Sequence, residues 1–536
     1  MILDVQDLSI RFAGQPHPSV HNLSFTLAPD QILGIVGESG SGKSISCLSL
    51  MGLLSAEISG TALFQVDSNP AYDLIQTSHK TLRQIRGRDI AMIFQDPLSS
   101  LNPFLRVGTQ LIEPLQQHQK ISKKAAAQQL ITLLADTGIP EPEAAMQRYP
   151  HEFSGGQLQR LMIAMALSTQ PRLLIADEPT TALDVTTQAQ IIRLLQNLKA
   201  KYHLSVLFIS HDLALVAEVA DQVIVMRQGE VVERGPGTHL FKHPQHEYTQ
   251  TLVDAFSTTR KSIGQPTRQP LMQLQSVSFA YDQRTILHNI NLDIYRNEVL
   301  GLIGESGSGK STLGRLLTRQ YAPSHGQIIY DGYSLAGTTA TGHSTQTANN
   351  ASDAYFRQHI QMIFQNPYAS LNPRLRVRDI LGEPMQVRQD LLQQPRLTSQ
   401  QVTDQCLALL IEVGLDAAML YRYPHEFSGG QRQRIAIART LAMQPAFIVA
   451  DEPVSALDAS VQQQVVKLLK RLRQQQQQTL LFISHDMHIV QQIADRIAVM
   501  YQGQIVETGT AEQIFNQPEH AYTQKLISAL PKALKN

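Results

Sequence analysis

The chain has no tryptophan, only two cysteines in 536 residues, and no net charge, with 45 Lys and Arg against 45 Asp and Glu. Each of these shortages excludes something. Cys47 and Cys406 cannot build a disulfide scaffold or a four-cysteine metal site. Each lies in an apolar helical context and reads as a small buried hydrophobe. Charge balance argues against a general nucleic-acid-binding surface, so no nucleic acid is expected among the partners. No apolar run reaches the ~18 residues that span a bilayer. The opening "MILDVQDLSIRF" alternates like a strand and shows no signal peptide, so a soluble, cytoplasmic chain is expected.

What the chain has in abundance is itself, twice. "RYPHEFSGGQ" stands at Arg148–Gln157 and again at Arg422–Gln431. "GIVGESGSGKS" (Gly34–Ser44) returns as "GLIGESGSGKS" (Gly301–Ser311), and "MIFQDPLSSLNP" (Met92–Pro103) as "MIFQNPYASLNP" (Met362–Pro373). "ADEPTTALD" (Ala176–Asp184) returns as "ADEPVSALD" (Ala450–Asp458), and "LFISHD" occurs at Leu207–Asp212 and Leu481–Asp486. Repeats in one order at nearly one offset mean two homologous units. The chain is too long for a single core, and the boundaries read 1–256, a polar linker at 257–270, and 271–536. Ala336–Ala354, rich in Thr, Ala and Asn, reads as a mobile surface insertion. "QQQQQ" at Gln474–Gln478 reads as a solvated helix end.

Within each unit, apolar runs such as "ILGIVG" and "RLLIADE" alternate with helical stretches, including about 185–200 and 459–474. That pattern indicates an α/β fold with a mainly parallel sheet covered on both faces. Gly37–Ser44 fits G-x-x-x-x-G-K-[ST], a loop whose backbone N–H groups curl around phosphate oxygens at a helix N-terminus. The nucleotide-binding candidates are Gly37, Glu38, Ser39, Gly40, Ser41, Gly42, Lys43, Ser44 and Ile45. Their counterparts are Gly304, Glu305, Ser306, Gly307, Ser308, Gly309, Lys310, Ser311 and Thr312. Lys43 and Lys310 would reach the β- and γ-phosphates, and the Ser44 and Ser311 hydroxyls would ligate Mg²⁺. Asp177 and Asp451 close apolar strands and can hold Mg²⁺ through water. Glu178 and Glu452 can orient or deprotonate the attacking water. Gln95 and Gln365 can touch both the metal and that water, and His211 and His485 can hydrogen-bond a γ-phosphate. Phe12 and Tyr281, upstream of each loop lysine by 31 and 29 residues, can stack on adenine.

Together these residues closely resemble the ATP-binding cassette (ABC) family over nearly the whole chain. Ser154, Gly155, Gly156 and Gln157, with Ser428, Gly429, Gly430 and Gln431, look like its signature motif. The resemblance makes Phe12 and Tyr281 the A-loop aromatics, Gly37–Ser44 and Gly304–Ser311 Walker A, and Gln95 and Gln365 the Q-loop. It places Walker B at Leu173–Glu178 and Phe447–Glu452, the D-loop at Ala182–Asp184 and Ala456–Asp458, and the H-loop at His211 and His485. It implies two tandem ABC ATPase domains, each a P-loop core with antiparallel β and helical subdomains, using ATP and Mg²⁺. In that family cassettes pair head to tail. One site would then join Lys43, Ser44, Gln95, Glu178 and His211 with Ser428, Gly430 and Asp458. The other would join Lys310, Ser311, Gln365, Glu452 and His485 with Ser154, Gly156 and Asp184. Both sets of catalytic letters are intact, so two hydrolytic sites are expected. Leu158 against Arg432, and Ile45 against Thr312, are small departures.

"QDPLSSLNPFLRV", "QNPYASLNPRLRV" and the tails "HPQHEYTQTLVDA" (His243–Ala255) and "QPEHAYTQKLISALP" (Gln517–Pro531) are similar to the oligopeptide/dipeptide/nickel importer branch. The fusion is particularly similar to the Yej-type ATPases of microcin C and peptide importers, with glutathione importer ATPases as neighbours. That implies two transmembrane permease subunits docking at Ser99–Val107 and Ala369–Val377. It also implies an extracytoplasmic solute-binding protein, and a place on the cytoplasmic face of the bacterial inner membrane. No iron–sulfur cluster is expected without the cysteines for one. The competing class, fused ABC ATPases that act on the ribosome, carries a long charged connection that this chain lacks.

Overall fold

The structure, a computed structural model, describes all residues except 67–69, 182, 257–268, 283, 336–351, 456, 458 and 531–536. The chain divides into two compact units, Met1–Ser257 and Thr258–Leu530. Most of the expected linker lies outside the described residues, and Pro270 already opens a strand, Pro270–Tyr281. Most of the expected insertion also lies outside them, while Ser352–Ala354 begin a helix, Ser352–His359.

In the first unit a six-stranded sheet runs in the order Glu230–Pro236, Gln222–Arg227, Ile32–Val36, Ser205–Ile209, Leu173–Asp177, Ile90–Ile93. Every pairing is parallel except that of Glu230–Pro236 with Gln222–Arg227. The central strands are buried end to end. Alternate residues feed different cores: Ile32, Val36, Leu174, Ala176, Val206 and Phe208 enter one. Leu33, Ile35, Leu173, Ile175, Leu207 and Ile209 enter the other. A period of two with both faces apolar is why these strands read as continuous hydrophobic runs.

A four-stranded antiparallel sheet, Val20–Leu27, Leu3–Arg11, Glu57–Phe64 and Tyr72–Asp73, covers the second core. Helices Val107–Gln119, Lys123–Asp136 and Gly155–Leu167 contribute to the first. The second unit repeats this plan, with a six-stranded sheet from Ile360–Ile363 to Gln504–Thr510 and a four-stranded antiparallel sheet beginning at Pro270–Tyr281.

Two details depart from expectation or complete it. The glutamine run does end a helix, Ala459–Gln476, but Gln478 is buried, because the next residue starts the strand Thr479–Ile483. Cys47 and Cys406 are both fully buried, and burial pushes both thiols up, Cys406 to about 11.

Candidate functional site

Each phosphate-loop candidate begins where the central strand ends. Ile32–Val36 delivers the chain to Gly37, and helix Lys43–Leu50 starts at Gly42, which sits at φ 97°. That left-handed angle favours glycine, and a Cβ there would come within 2.8 Å of the Val20 side chain. A Cβ at Gly40 (φ 80°) would meet no protein atom within 4 Å, so there glycine answers to backbone angle alone. Lys43 Nζ donates to the carbonyls of Gly37 and Glu38, both at 2.8 Å, so the ammonium is held against the loop. Lys310 does the same with Gly304 and Glu305, also at 2.8 Å.

The acidic pair sits across from this loop. The Ser44 hydroxyl donates to Asp177 Oδ1 at 2.9 Å, and Ser311 to Asp451 at 2.9 Å. Burial raises both aspartates above their ordinary value, against the opposing serine hydrogen bonds, with the adjacent glutamate charge adding to the rise. Immediately after the strand, Glu178 and Glu452 adopt left-handed angles, φ 48° and 45°. The main-chain N–H groups of these glutamates donate to Ile209 and Ile483 at 2.9 Å, which fixes the turn. A non-glycine residue in this region is strained, and such strain collects at functional sites. The turn lets neighbouring carboxylates serve different partners.

Glu178 takes a hydrogen bond from Gln95 Nε2 at 3.0 Å and one from Thr181 at 2.9 Å, and pairs with His211 Nδ1 at 3.2 Å. Glu452 takes one from Gln365 at 2.7 Å and pairs with His485 at 3.2 Å. Burial pushes each glutamate up, but the histidine's hydrogen bond and charge outweigh it, and the net shift is downward. Burial likewise pushes each histidine down, and the glutamate reverses that, leaving it raised. A raised histidine contributes stability below its unfolded value and loses it as pH rises through the folded value. A lowered carboxylate contributes above its unfolded value and loses it as pH falls through the folded value. The pair is therefore fully stabilising between the ordinary values of 4.5 and 6.5. His211→Gln with His485→Gln should lower the thermal midpoint more at about pH 5.5 than at about pH 8.5. Equal losses at both would show that the rings act by packing alone.

The signature residues cap a helix. Ser154 Oγ accepts from Gln157 N–H at 3.3 Å while Gln157 Oε1 accepts from Ser154 N–H at 3.0 Å, a reciprocal cap at the start of Gly155–Leu167. Ser428 and Gln431 repeat it at 3.3 and 3.0 Å. Gly156 and Gly430 are glycine because another helix approaches: a Cβ would lie 2.6 Å from Thr187 and 2.3 Å from Val461. Ser154 and Gly155 remain exposed. Asp184 caps the helix Val185–Tyr202, whereas Ala182, Ala456 and Asp458 lie outside the described residues. Where Leu158 is buried in the first unit, Arg432 in the second lies 3.6 Å over the Tyr368 ring.

The aromatic candidates sit differently. Phe12 lines an open cavity of about 480 Å³ with Gly14, Gln15 and Ser55. Tyr281 meets Phe279 and Tyr321 edge-on, at 4.8 and 5.4 Å, and stays 37% exposed. The arrangement gathers Lys43, Ser44, Gln95, Asp177, Glu178 and His211 through direct contacts or a shared loop, and their counterparts likewise. Thr181 on Glu178 went unanticipated. So did Tyr248 and Tyr522, whose hydroxyls accept from Glu38 N–H at 3.1 Å and Glu305 N–H at 2.9 Å. The glutamate N–H groups thus serve tyrosines. Among the described residues no cluster of three His, Cys, Asp or Glu could hold a metal. The serine, glutamine and aspartate oxygens suit Mg²⁺, which takes its other oxygens from phosphate and water.

Residues 20–181 and 287–455 match the ABC transporter family, and residues 232–277 and 506–536 match the oligopeptide/dipeptide transporter C-terminal region. The glutathione import ATP-binding protein GsiA of Pectobacterium atrosepticum is 41% identical, over 99% of this chain and 90% of its own. GsiA of Escherichia coli (strain K12) is 42% identical with the same coverage. Among solved structures, the complex of archaeal ribosomal stalk protein aP1 with archaeal ribosome recycling factor aABCE1 matches with a TM-score of 0.61. It is 19% identical over 94% of this chain and 90% of that one, a likeness of fold alone. The chain belongs to the ABC transporter family, as an ATP-binding and ATP-hydrolysing protein with two cassettes and an oligopeptide/dipeptide transporter C-terminal region after each.

Proposed function

We propose that the protein is the ATPase subunit of a bacterial importer for peptides or peptide-like compounds. The observation that carries this is identity of 41–42% over 99% of the chain to glutathione import ATP-binding proteins. No described helix is long and apolar enough to cross a membrane, so transport requires permease partners, two by the family's pattern, with an extracytoplasmic solute-binding protein beyond them. The protein then works peripherally at the cytoplasmic face of the inner membrane.

The segment after Gln95 supports docking there. Asn102 Oδ1 accepts from Phe104 N–H at 3.0 Å, and Gln110 braces the loop through Asn102 and Leu105. This hydrogen-bonded loop leaves Phe104 87% exposed. An exposed aromatic ring at this loop could serve as an anchor for a partner surface. The second unit builds the same turn, with Asn372 accepting from Arg374 N–H at 3.0 Å, but offers an arginine. The two loops therefore suit two non-identical permeases.

Mg²⁺–ATP, when bound, would present an electrophilic γ-phosphorus, and the metal would help to neutralise charge developing on the phosphate oxygens. Lys43 and Lys310 would hold the β- and γ-phosphates; Ser44, Gln95 and Asp177, with Ser311, Gln365 and Asp451, would hold the metal. Glu178 and Glu452 would accept a proton from the attacking water, and His211 and His485, paired with those carboxylates, would orient them. By the family's pattern, the exposed helix starts at Ser154 and Ser428 would each close over nucleotide held by the other cassette, head to tail. The test is purification from detergent-solubilised membranes: two permease subunits should co-purify at stoichiometric yield. Recovery of ribosomes instead would overturn the importer assignment.

A further inference from the structure

The tail after each cassette reaches back to the nucleotide loop. In the first unit the chain leaves the sheet through Glu230–Pro236, forms the short helix Gly237–Lys242, turns, and enters helix Glu247–Phe256. The Glu233 carboxylate fixes that turn by accepting from Gln245 N–H at 2.9 Å and His246 N–H at 3.1 Å. His246 Nδ1 then accepts from Tyr248 N–H at 3.1 Å. These bonds aim Tyr248, only 5% exposed, at the main chain of Glu38, 210 residues away in sequence.

The second unit builds the same device with other materials. Glu507 accepts from Glu519 and His520 N–H at 2.9 and 3.1 Å, and His520 Nδ1 accepts from Tyr522 N–H at 3.2 Å. Under the first tyrosine lies the Arg227 guanidinium, 4.9 Å from the ring, whereas Tyr501 stacks on Tyr522 at 4.2 Å. The packing partner has changed from cation to aromatic ring, yet the hydroxyl-to-loop bond persists. A bond that outlasts replacement of its surroundings is the conserved element of the two copies.

The bonded N–H is a distinctive one. Glu38 and Glu305 carry the carbonyls that hold Lys43 and Lys310, so one peptide-linked residue receives the tyrosine on one side and presents the loop lysine on the other. We propose that Tyr248 and Tyr522 are positioning residues for ATP: each hydroxyl pins the second residue of the phosphate loop, making the C-terminal tail part of the nucleotide site. This rests on the phosphate-loop assignment above.

Phenylalanine keeps the ring and its packing but leaves a main-chain N–H without its acceptor, a loss that falls on the loop's set conformation. Tyr248→Phe with Tyr522→Phe in the full-length chain should weaken Mg²⁺–ATP binding roughly tenfold. It should raise KM for ATP similarly while kcat at saturation stays within about twofold. Proline has no N–H to satisfy. Adding Glu38→Pro and Glu305→Pro to the phenylalanine variant should therefore restore most of the affinity. Unchanged ATP affinity in the phenylalanine variant would overturn the proposal, since the tyrosines would then act by packing alone, and so would a loss that proline fails to repair, since the hydroxyls would then act through some group other than that N–H. Lys43→Ala with Lys310→Ala is the reference. If the unaltered chain bound ATP no better than this variant, the phosphate-loop assignment itself would fall.

Discussion

Glu178→Gln should lower ATP turnover by on the order of 10²–10⁴, and Glu452→Gln should do so independently, with ATP binding retained in both. Glutamine preserves the size of the side chain and its ability to accept from Gln95 or Gln365, so the local fold survives. It cannot take a proton from water at any useful pH, and it cannot form an ion pair with His211 or His485. The two glutamates share three tethers: a left-handed turn after the last strand residue, a glutamine at 3.0 or 2.7 Å and a histidine at 3.2 Å. Neither cassette has lost a part, so both singles should fail at saturating ATP. Near-normal turnover in one single variant would show that its site is accessory. Loss of ATP binding as well would place the glutamate in the structure of the loop rather than in proton transfer.

The parts of this site that could be read in the sequence are those fixed by local rules. An apolar run ending in G-x-x-x-x-G-K-S specifies strand, turn and helix within about a dozen residues, because glycine angles and a helix start are short-range properties. Ser154–Gln157 is legible only through the family resemblance, and the structure adds that Ser154 and Gln157 cap a helix; duplication makes each motif visible twice. What escaped depends on closure over long separations. Nothing near Tyr248 announces that its hydroxyl meets Glu38, although the two tails "HEYTQ" and "HAYTQ" repeat the histidine and tyrosine that build the contact. Thr181 carries no signal in the sequence because its role follows from the Glu178 turn, which no propensity scale encodes for glutamate. Gly156 looked like a ligand-contacting glycine, and the structure adds a second reason for it, the side chain of Thr187 from the neighbouring helix. Gln478 departs from a solvated helix end because strand onset at Thr479, and not helix composition, decides its burial.

Asp177→Asn with Asp451→Asn should raise the Mg²⁺ concentration needed for half-maximal turnover by roughly 10–100-fold, while ATP binding in the absence of metal stays within about twofold. Each aspartate accepts from the serine that follows the loop lysine, at 2.9 Å, so carboxylate and hydroxyl are already held together where a cation would bridge them. Burial, with the adjacent glutamate's charge, raises both carboxyls, so the ionised form gains from a nearby divalent charge. Asparagine can still accept from the serine and fill the same space at the end of a fully buried strand, so what it removes is charge. Two measurements separate the possibilities. A Mg²⁺ titration of turnover reads the apparent requirement, and Mn²⁺ binding in the presence of ATP, followed by electron paramagnetic resonance, reads the metal without catalysis. If both curves kept their wild-type midpoints, these aspartates would be structural caps on the strand and the metal would depend on Ser44, Ser311 and phosphate alone. A shift in both by a similar factor would tie the acid at the end of each strand to the metal, and through Ser44 and Ser311 to the loop that binds the nucleotide.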